Sequence, residues 1–319
     1  MTAESHQGVA VLAVGGNSLI ADSEHESIPD QSDAAEETAH HIAELVAQGW
    51  RMVVTHGSGP QIGFILRRSE LSLAEVPPVP MDYAGADLQG AIGYMLQRAL
   101  HNEFHQRRLD KRAIAVVTQT LVARDDPAMT HPNKPIGSYM DAETAELRKR
   151  QLGWTVMEDA GRGWRRVVPS PEPRSIVDLA AIRDLLAAGY TVIACGGGGI
   201  PVIEDEHGQL IGIEAVIDKD YASGLLAAEL GADRFIVSTA VEQVAIGFNT
   251  PAQQWLDQVS LSEAHRHDAD GQFAEGSMAP KVRAIMRFVE RTGHSGLITN
   301  PPNIGRALAG ETGTRIVPD

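Results

Sequence analysis

Tyr190 to Asp233 reads YTVIACGGGGIPVIEDEHGQLIGIEAVIDKDYASGLLAAELGAD. Thr191 to Ala194 is a β-branched and apolar run, the composition of a strand buried on both faces. Gly196 to Gly199 follow, and residues without Cβ atoms let backbone N–H groups approach an anion closely. Pro201 stops a helix from starting there, and the polar turn beyond it predicts a hairpin. Asp218-Lys219-Asp220 then opens a helix of alanines and leucines that Gly231 ends. Carboxylates in a first helical turn complement the dipole, and a lysine held between them suits phosphate chemistry. Singly, a glycine turn and a charged helix cap are ordinary structural devices. Together, around one strand–loop–hairpin–helix unit, they predict an α/β fold with an anionic phosphate site.

Composition bounds the rest. The chain has 319 residues, 43% hydrophobic and 22% charged, which is ordinary globular usage and enough for one large α/β domain or two lobes. With 42 acidic and 27 basic residues, the formal net charge is −15. That disfavours nucleic acid as the main partner but leaves room for a local lysine cluster and an anionic small substrate. The single cysteine, Cys195, excludes an internal disulfide framework and fits a reducing compartment; it reads as a small buried hydrophobe. No apolar run approaches about 18 residues, so no membrane partner is expected. The start MTAESHQG lacks the features of a signal peptide, and the expected location is the cytoplasm.

Two more strand-to-glycine junctions precede the central stretch. Val9 to Val14 predicts a buried strand running into Gly15-Gly16-Asn17-Ser18, and Met52 to Thr55 predicts another running into His56-Gly57-Ser58-Gly59-Pro60. Such junctions at the carboxyl ends of parallel strands are where open α/β sheets bind ligands. His56 reads as a structural histidine in preference to a catalytic one. Helices are predicted over Asp30 to Gln48, after Pro60, over Ala84 to Gln106 and over Ser175 to Ala188. In the third of these, Gly85, Gly90 and Gly93 cost roughly 1 kcal/mol each relative to alanine, so a backbone or neighbouring helix is expected to come close there; the helix also suits a dimer face. Ala113 to Thr118, Arg234 to Ser238, Val244 to Phe248, Ser295 to Thr299 and Thr314 to Val317 predict strands, and Ile304 to Leu308 a short helix. Between Arg124 and Arg174 the alternation gives way to proline, charge and tryptophan. An inserted, protruding subdomain is expected there, with Trp154 and Trp164 in its small core and Lys134 on a stiff loop. Lys281 lies in the first turn of a helix through Arg291, where a cation opposes the dipole and so points to an anion nearby. Phe248, with Asn249 and PAQQW, could form an apolar slot for a base. The architecture is a central, mostly parallel sheet with helices on both faces.

Lys219 and Lys281, both at helix starts, could flank a phosphoryl group in flight, and an attacking oxygen that is already anionic needs no base. Neither a P-loop nor a protein-kinase motif set is present. AVGGNSL, VVTHGSGPQIG, GAIGYMLQRAL, HPNKPIGSYM, RRVVPSPEP, IACGGGGIPVI, EAVIDKDYASGLLA and GSMAPKV, in that order, resemble the carbamate kinases of the amino-acid kinase superfamily. The resemblance runs from Val9 to the C-terminus. It implies an open αβα sandwich with an eight-stranded, mainly parallel sheet, a homodimer, and reversible transfer between MgATP and carbamate giving ADP and carbamoyl phosphate. It also implies one amino-acid-kinase-like domain with two lobes. Residues 1–190 would hold the carbamate side, including a lid over 124–174, and residues 191–319 the nucleotide side.

Carried onto this chain, the resemblance puts Gly15, Gly16 and Asn17 along the transferred phosphate, with Lys219 and Lys281 stabilising it and Asp220 orienting the lysines. Gly57, Ser58 and Gly59 would contact carbamate, Lys134 would reach in from the lid, and Gly196, Gly197 and Gly198 would shape the substrate side. Thr239, Phe248, Met278, Lys219 and Lys281 would contact the nucleotide, and Mg²⁺ would sit mainly on nucleotide phosphates with no dedicated protein ligands. The chain departs from the family pattern at Ser58 (usually Asn), Ala279 (usually Gly) and Leu88 (usually Ser). Two alternatives stand beside this reading. One is a superfamily kinase making an acyl phosphate from an amino acid, with Asp82 or Asp87 holding the ammonium. The other is a non-catalytic nucleotide or metabolite sensor, and within the kinase reading another small carboxylate or carbamate stands as a possible substrate.

Overall fold

The structure is a computed structural model that describes residues 7–16, 19–20, 24–158 and 163–319. Its strands are β1 (Gly8–Val14), β2 (Trp50–His56), β3 (Arg112–Ala115), β4 (Gln119–Val122), β5 (Lys134–Met140), β6 (Thr155–Glu158), β7 (Trp164–Val168), β8 (Pro173–Ile176), β9 (Tyr190–Ile193), β10 (Ile200–Glu204), β11 (Leu210–Gly212), β12 (Arg234–Ser238), β13 (Val244–Ile246), β14 (Gln254–Leu256), β15 (Gln258–Ser260), β16 (Gly296–Thr299) and β17 (Thr314–Val317). Its helices are α1 (Ile28–Ala47), α2 (Gly59–Leu71), α3 (Met81–Gln106), α4 (Ala142–Leu152), α5 (Leu179–Ala187), α6 (Lys219–Leu230), α7 (Leu261–Ala269), α8 (Met278–Thr292) and α9 (Ile304–Ala309).

Eight strands form the central sheet, in the order β15-β17-β16-β12-β1-β2-β9-β3. Every ladder from β16 to β3 is parallel, while β17 runs antiparallel to β16 and carries β15 with it. The reason lies in β1, where successive side chains point to opposite faces. Val9, Val11 and Ala13 pack in one core with Leu226, Ile285 and Phe288 of α6 and α8. Ala10, Leu12 and Val14 pack in the other with Ile42, Leu96 and Phe104 of α1 and α3. A strand covered on both sides must be apolar at every position, which is why VAVLAV reads as an unbroken run. Parallel strands also deliver their following loops to one edge. Thus the segments after β1, β2, β9 and β12 gather together, and a Cβ placed on Gly57 would lie 3.1 Å from the Gly16 nitrogen.

Several expectations require correction. The strand expected over Ala113 to Thr118 is shorter, since β3 ends at Ala115, and β4, which starts beyond that run at Gln119, belongs to a second, four-stranded sheet ordered β11-β10-β4-β8. The helix expected from Ser175 begins only at Leu179, because β-branched Ile176 ends a strand, β8, paired antiparallel to β4. Segment 124–174 does carry regular structure: β5, β7 and β6 make a three-stranded antiparallel sheet with α4 between its strands. Its tryptophans do not form its core. Trp154 and Trp164 are half-buried, and the buried side chains are Ile136, Ala145, Val167 and Val168. Of the three glycines in α3, only Gly93 meets a close neighbour, the Ala115 Cβ, while Gly85 and Gly90 face open space.

The helix α2 and the strand β5 touch backbone to backbone. A Cβ on Gly63 would lie 2.5 Å from the Gly137 Cα, closer than side-chain atoms come. Gly63→Ala therefore forces the two elements apart and is expected to cost about 1–3 kcal/mol, the usual range for overpacking. Thermal unfolding should show a fall of a few degrees, and an unchanged melt would contradict so close a contact.

Candidate active site

Asp218 caps α6, its Oδ1 accepting from the Asp220 N–H at 2.9 Å. Its Oδ2 accepts from the Lys134 ammonium at 2.6 Å, reaching across from β5. The next carboxylate, Asp220, is buried between two further lysines, with Lys219 Nζ at 2.9 Å and Lys281 Nζ at 3.0 Å. Lys281 comes from the first turn of α8. Three lysines thus face two aspartates, leaving one positive charge in a chain of net charge −15.

The charges are set by burial and by each other. Burial pulls the Lys219 ammonium below its ordinary value, Asp220 opposes that, and Lys281 adds to it. Burial pushes the Asp220 carboxyl up, but Lys219 and Lys281 together outweigh it and hold the group at about 2. Lys219 Nζ is buried 2.9 Å from Asp220 Oδ1, a contact that takes one of an ammonium's three N–H groups. Its remaining N–H donors are therefore available to an anion, as a phosphoryl oxygen would require.

Two cavities meet at this cluster. The smaller, about 220 Å³, is walled by Gly57, Ser58, Gly59, Lys134, Lys219 and Asp220 among others. Helices α2, α6 and α8 all begin on it, through Gly59, Lys219 and Lys281. Three helix N-termini aimed at one space add their partial positive charge to that of the lysines. The larger cavity, about 700 Å³, is lined by Thr239, Phe248, Trp255, Phe273 and Met278. Phe248 and Trp255 are 54% and 51% exposed, so both offer aromatic surface to a planar ligand. Gly16, Gly276, Ser277 and Lys281 wall both cavities, which makes them the seam.

The glycine loop after β9 works differently from the anion cradle expected of it. Gly196–Gly198 form one 3-10 turn, in which the Gly198 and Gly199 N–H groups donate to the carbonyls of Cys195 and Gly196. Those amides are engaged within the turn. Gln89 braces the loop from behind, donating to the Gly196 carbonyl at 3.1 Å and the Thr118 carbonyl at 3.0 Å. A Cβ on Gly196 would meet His56 Nε2 at 2.3 Å, so only glycine fits there. Of the four, Gly197 alone lines the small cavity, opposite Ser58; Gly196 and Gly198 do not reach it. His56 is buried, and its neutral ring donates from Nδ1 to the Gly57 carbonyl at 3.2 Å. Burial pulls its pKa down to about 4, with the Gly57 bond opposing and Lys219 adding. Cys195 is fully buried, and burial pushes its thiol well up, which leaves it inert.

Of the candidates named from sequence, Lys134, Lys219, Asp220, Lys281, Gly16, Gly57, Ser58, Gly59 and Gly197 come together around the small cavity. Gly15, Thr239, Phe248 and Met278 line the large one. Asn17 lies outside the described residues. Trp255, the last residue of the PAQQW segment expected to form a base slot with Phe248, lines the large cavity beside it, whereas sequence reasoning did not single out Asp218 as the partner of Lys134, nor the Gly276-Ser277 turn as part of the seam. The departures are accommodated: Ser58 packs toward Gly197, while Leu88 and Ala279 are buried in the two main cores.

The amino acid kinase family model matches residues 8–300. The chain is 45% identical over 310 residues to the carbamate kinase of Pyrococcus furiosus, covering 97% of this chain and 98% of that protein. It is 44% identical over 312 residues to the carbamate kinase-like protein YahI of Escherichia coli, covering 97% and 98%. Among solved structures, the carbamate kinase from Giardia lamblia bound to AMP-PNP superposes with a TM-score of 0.92 at 38% identity, covering 99% of this chain and 100% of that one.

Two buried groups with lowered values, His56 and Asp220, contribute to the acid limb. Unfolded His56 takes a proton near 6.5 but folded His56 only near 4, so its contribution to stability is complete above pH 6.5 and is lost as pH falls toward 4. By that shift it is worth about 3 kcal/mol. Asp220, ordinarily near 3.8 and held at about 2, adds a second loss between those values. Urea unfolding across pH should show both, and His56→Gln is expected to flatten the limb between pH 6.5 and 4. An unaltered limb in that variant would show that His56 does not carry it.

Proposed function

The chain belongs to the amino acid kinase family, among its carbamate kinases, and we propose that it transfers a phosphoryl group reversibly between ATP and carbamate, making ADP and carbamoyl phosphate. The observation that carries this reading is the seam. A cavity large enough for a nucleotide and one of about 220 Å³ share the wall that holds Lys281, beside Asp220 and Lys219.

In the direction of ATP formation, an ADP β-phosphate oxygen attacks the phosphorus of carbamoyl phosphate. The bond from phosphorus to the carbamate oxygen breaks, and carbamate leaves with the electron pair. No proton moves, so no general base is needed, and the neutral buried His56 is not one. What the step needs is positive charge around the transferred group. Lys219 and Lys281 supply it from either side of Asp220, and the N-termini of α6 and α8 reinforce it. The loop Gly57-Ser58-Gly59 and the N-terminus of α2 face the carbamate end. Lys134, paired with Asp218, ties β5 to that end, which is the basis for reading 124–174 as a lid and the chain as two lobes about the cleft. Among the described residues no cluster of three or more His, Cys, Asp or Glu side chains could hold a metal ion, and both site aspartates are engaged by lysines. Mg²⁺, kept as part of the reading, would come bound with the nucleotide and would supply further positive charge to its phosphates.

The amino-acid substrate alternative finds no support in the geometry, since Asp82 and Asp87 line neither cavity. No helix among the described residues is long and apolar enough to cross a membrane. We keep a cytoplasmic setting and a homodimer as parts of the reading. The exposed Tyr94 and Val117, which share a shallow recess beside α3, support the dimer.

The test is ATP formation from ADP, carbamoyl phosphate and Mg²⁺. Wild type is expected to turn over. Lys219→Ala and Lys281→Ala are each expected to lower kcat by about 10²–10³, the scale for losing one electrostatic donor, with little change in melting temperature. Unimpaired turnover in either folded variant would overturn the mechanism, and a silent wild type that still binds ATP would favour the sensor.

A further inference from the structure

A third cavity, about 380 Å³, lies between α2 and the three-stranded β5-β7-β6 sheet. It shares only Ile136 of β5 with the small active-site cavity. Its lining combines the apolar Leu66, Ile136 and Met140 with three arginines and two carboxylates. The carboxylates are already engaged. Glu70 sits 2.9 Å from Arg67 and 3.5 Å from Arg148, and Asp141 caps α4 by accepting from the Thr144 N–H at 2.7 Å.

Arg166 is the group left over. Its guanidinium lies 4.9 Å from the centre of the Trp154 ring, which Arg148 approaches at 5.8 Å. It is half-buried and makes no hydrogen bond or ion pair among the described residues. Burial pulls its pKa down, and Glu214 and Glu70 oppose that from beyond hydrogen-bonding distance. Arginine stays charged in proteins and presents five N–H donors in a planar fork. A half-buried fork with no protein acceptor keeps its donors for water or for an anion that displaces it.

We propose that this cavity binds a small monocarboxylate, its carboxylate on the Arg166 fork beside Trp154 and its apolar body against Leu66, Ile136 and Met140. The charge supports one negative group: the lining carries Arg67, Arg148 and Arg166 against Glu70 and Asp141. The volume falls in the range of ordinary small-molecule sites. Because β5 also carries Lys134, a ligand here grips the strand that reaches the active site.

Ligand-observed fluorine NMR on the full chain tests this, with ADP present at saturation to fill the large cavity. The probe is para-fluorobenzoate, compared with uncharged para-fluorobenzamide. Wild type is expected to bind the acid at least about tenfold more tightly than the amide, the scale of one charge-assisted hydrogen-bonded pair. Arg166→Gln, verified as folded by its melt, is expected to remove that preference. Should that variant not fold, the wild-type comparison still decides. The proposal is overturned if the acid does not bind, if acid and amide bind equally, if folded Arg166→Gln keeps the preference, or if carbamoyl phosphate displaces the probe and so places it in the active site.

Discussion

The buried Asp220 carboxylate is what the rest of the site depends on. Two ammonium groups brought this close in a desolvated setting repel one another, and each is penalised by burial. One carboxylate between them, 2.9 Å from Lys219 and 3.0 Å from Lys281, makes the pair tolerable while leaving donor capacity facing the seam. The charge is thus assembled before any ligand arrives, and a preorganised charge needs no rearrangement as the phosphoryl group moves. Asp218 repeats the device at longer reach, holding Lys134 of β5 over the same cavity.

That arrangement depends in turn on the sheet. Lys219 and Lys281 lie 62 positions apart, yet α6 and α8 pack side by side over one face, in the core that contains Leu226, Ile285 and Phe288. The edge-to-face pair of Phe235 and Phe288, with ring centres 5.7 Å apart, fastens α8 to β12. Burying side chains of this size stabilises by about 1.5–3 kcal/mol each, so the core bears the cost of confining the cations. At the opposite core, α3 contributes Gln89, which fixes the glycine turn and keeps His56 covered.

Much of this was legible in the sequence because it is local. Unbroken apolar runs marked the parallel strands, and glycine or charge at helix starts marked the functional edge. Lys281 could be named because a cation at a helix N-terminus contradicts the dipole and needs a reason, Lys219 because it stands between two carboxylates at a helix start, and Asp220 through the resemblance to the carbamate kinases. What was not legible depends on tertiary contact. Lys134 and Asp218 stand 84 residues apart, and nothing in either segment announces the other. Whether the amides of Gly196 to Gly199 were free or engaged turned on a 3-10 turn that a glycine run does not specify. The helix α7 was missed although its start carries a readable signal, the reciprocal capping of Ser260 and Glu263.

The account turns on Asp220 presenting Lys219 and Lys281 to one transferred group at the boundary of the two cavities. The most direct measurement is a crystal structure with ADP, Mg²⁺ and aluminium fluoride, the last standing in for the phosphoryl group in flight. The account predicts fluorides within hydrogen-bonding distance of both Lys219 Nζ and Lys281 Nζ, with the Asp220 carboxylate still between the lysines. A fluoride group bound away from either lysine, or an Asp220 turned to hold the metal, would contradict it.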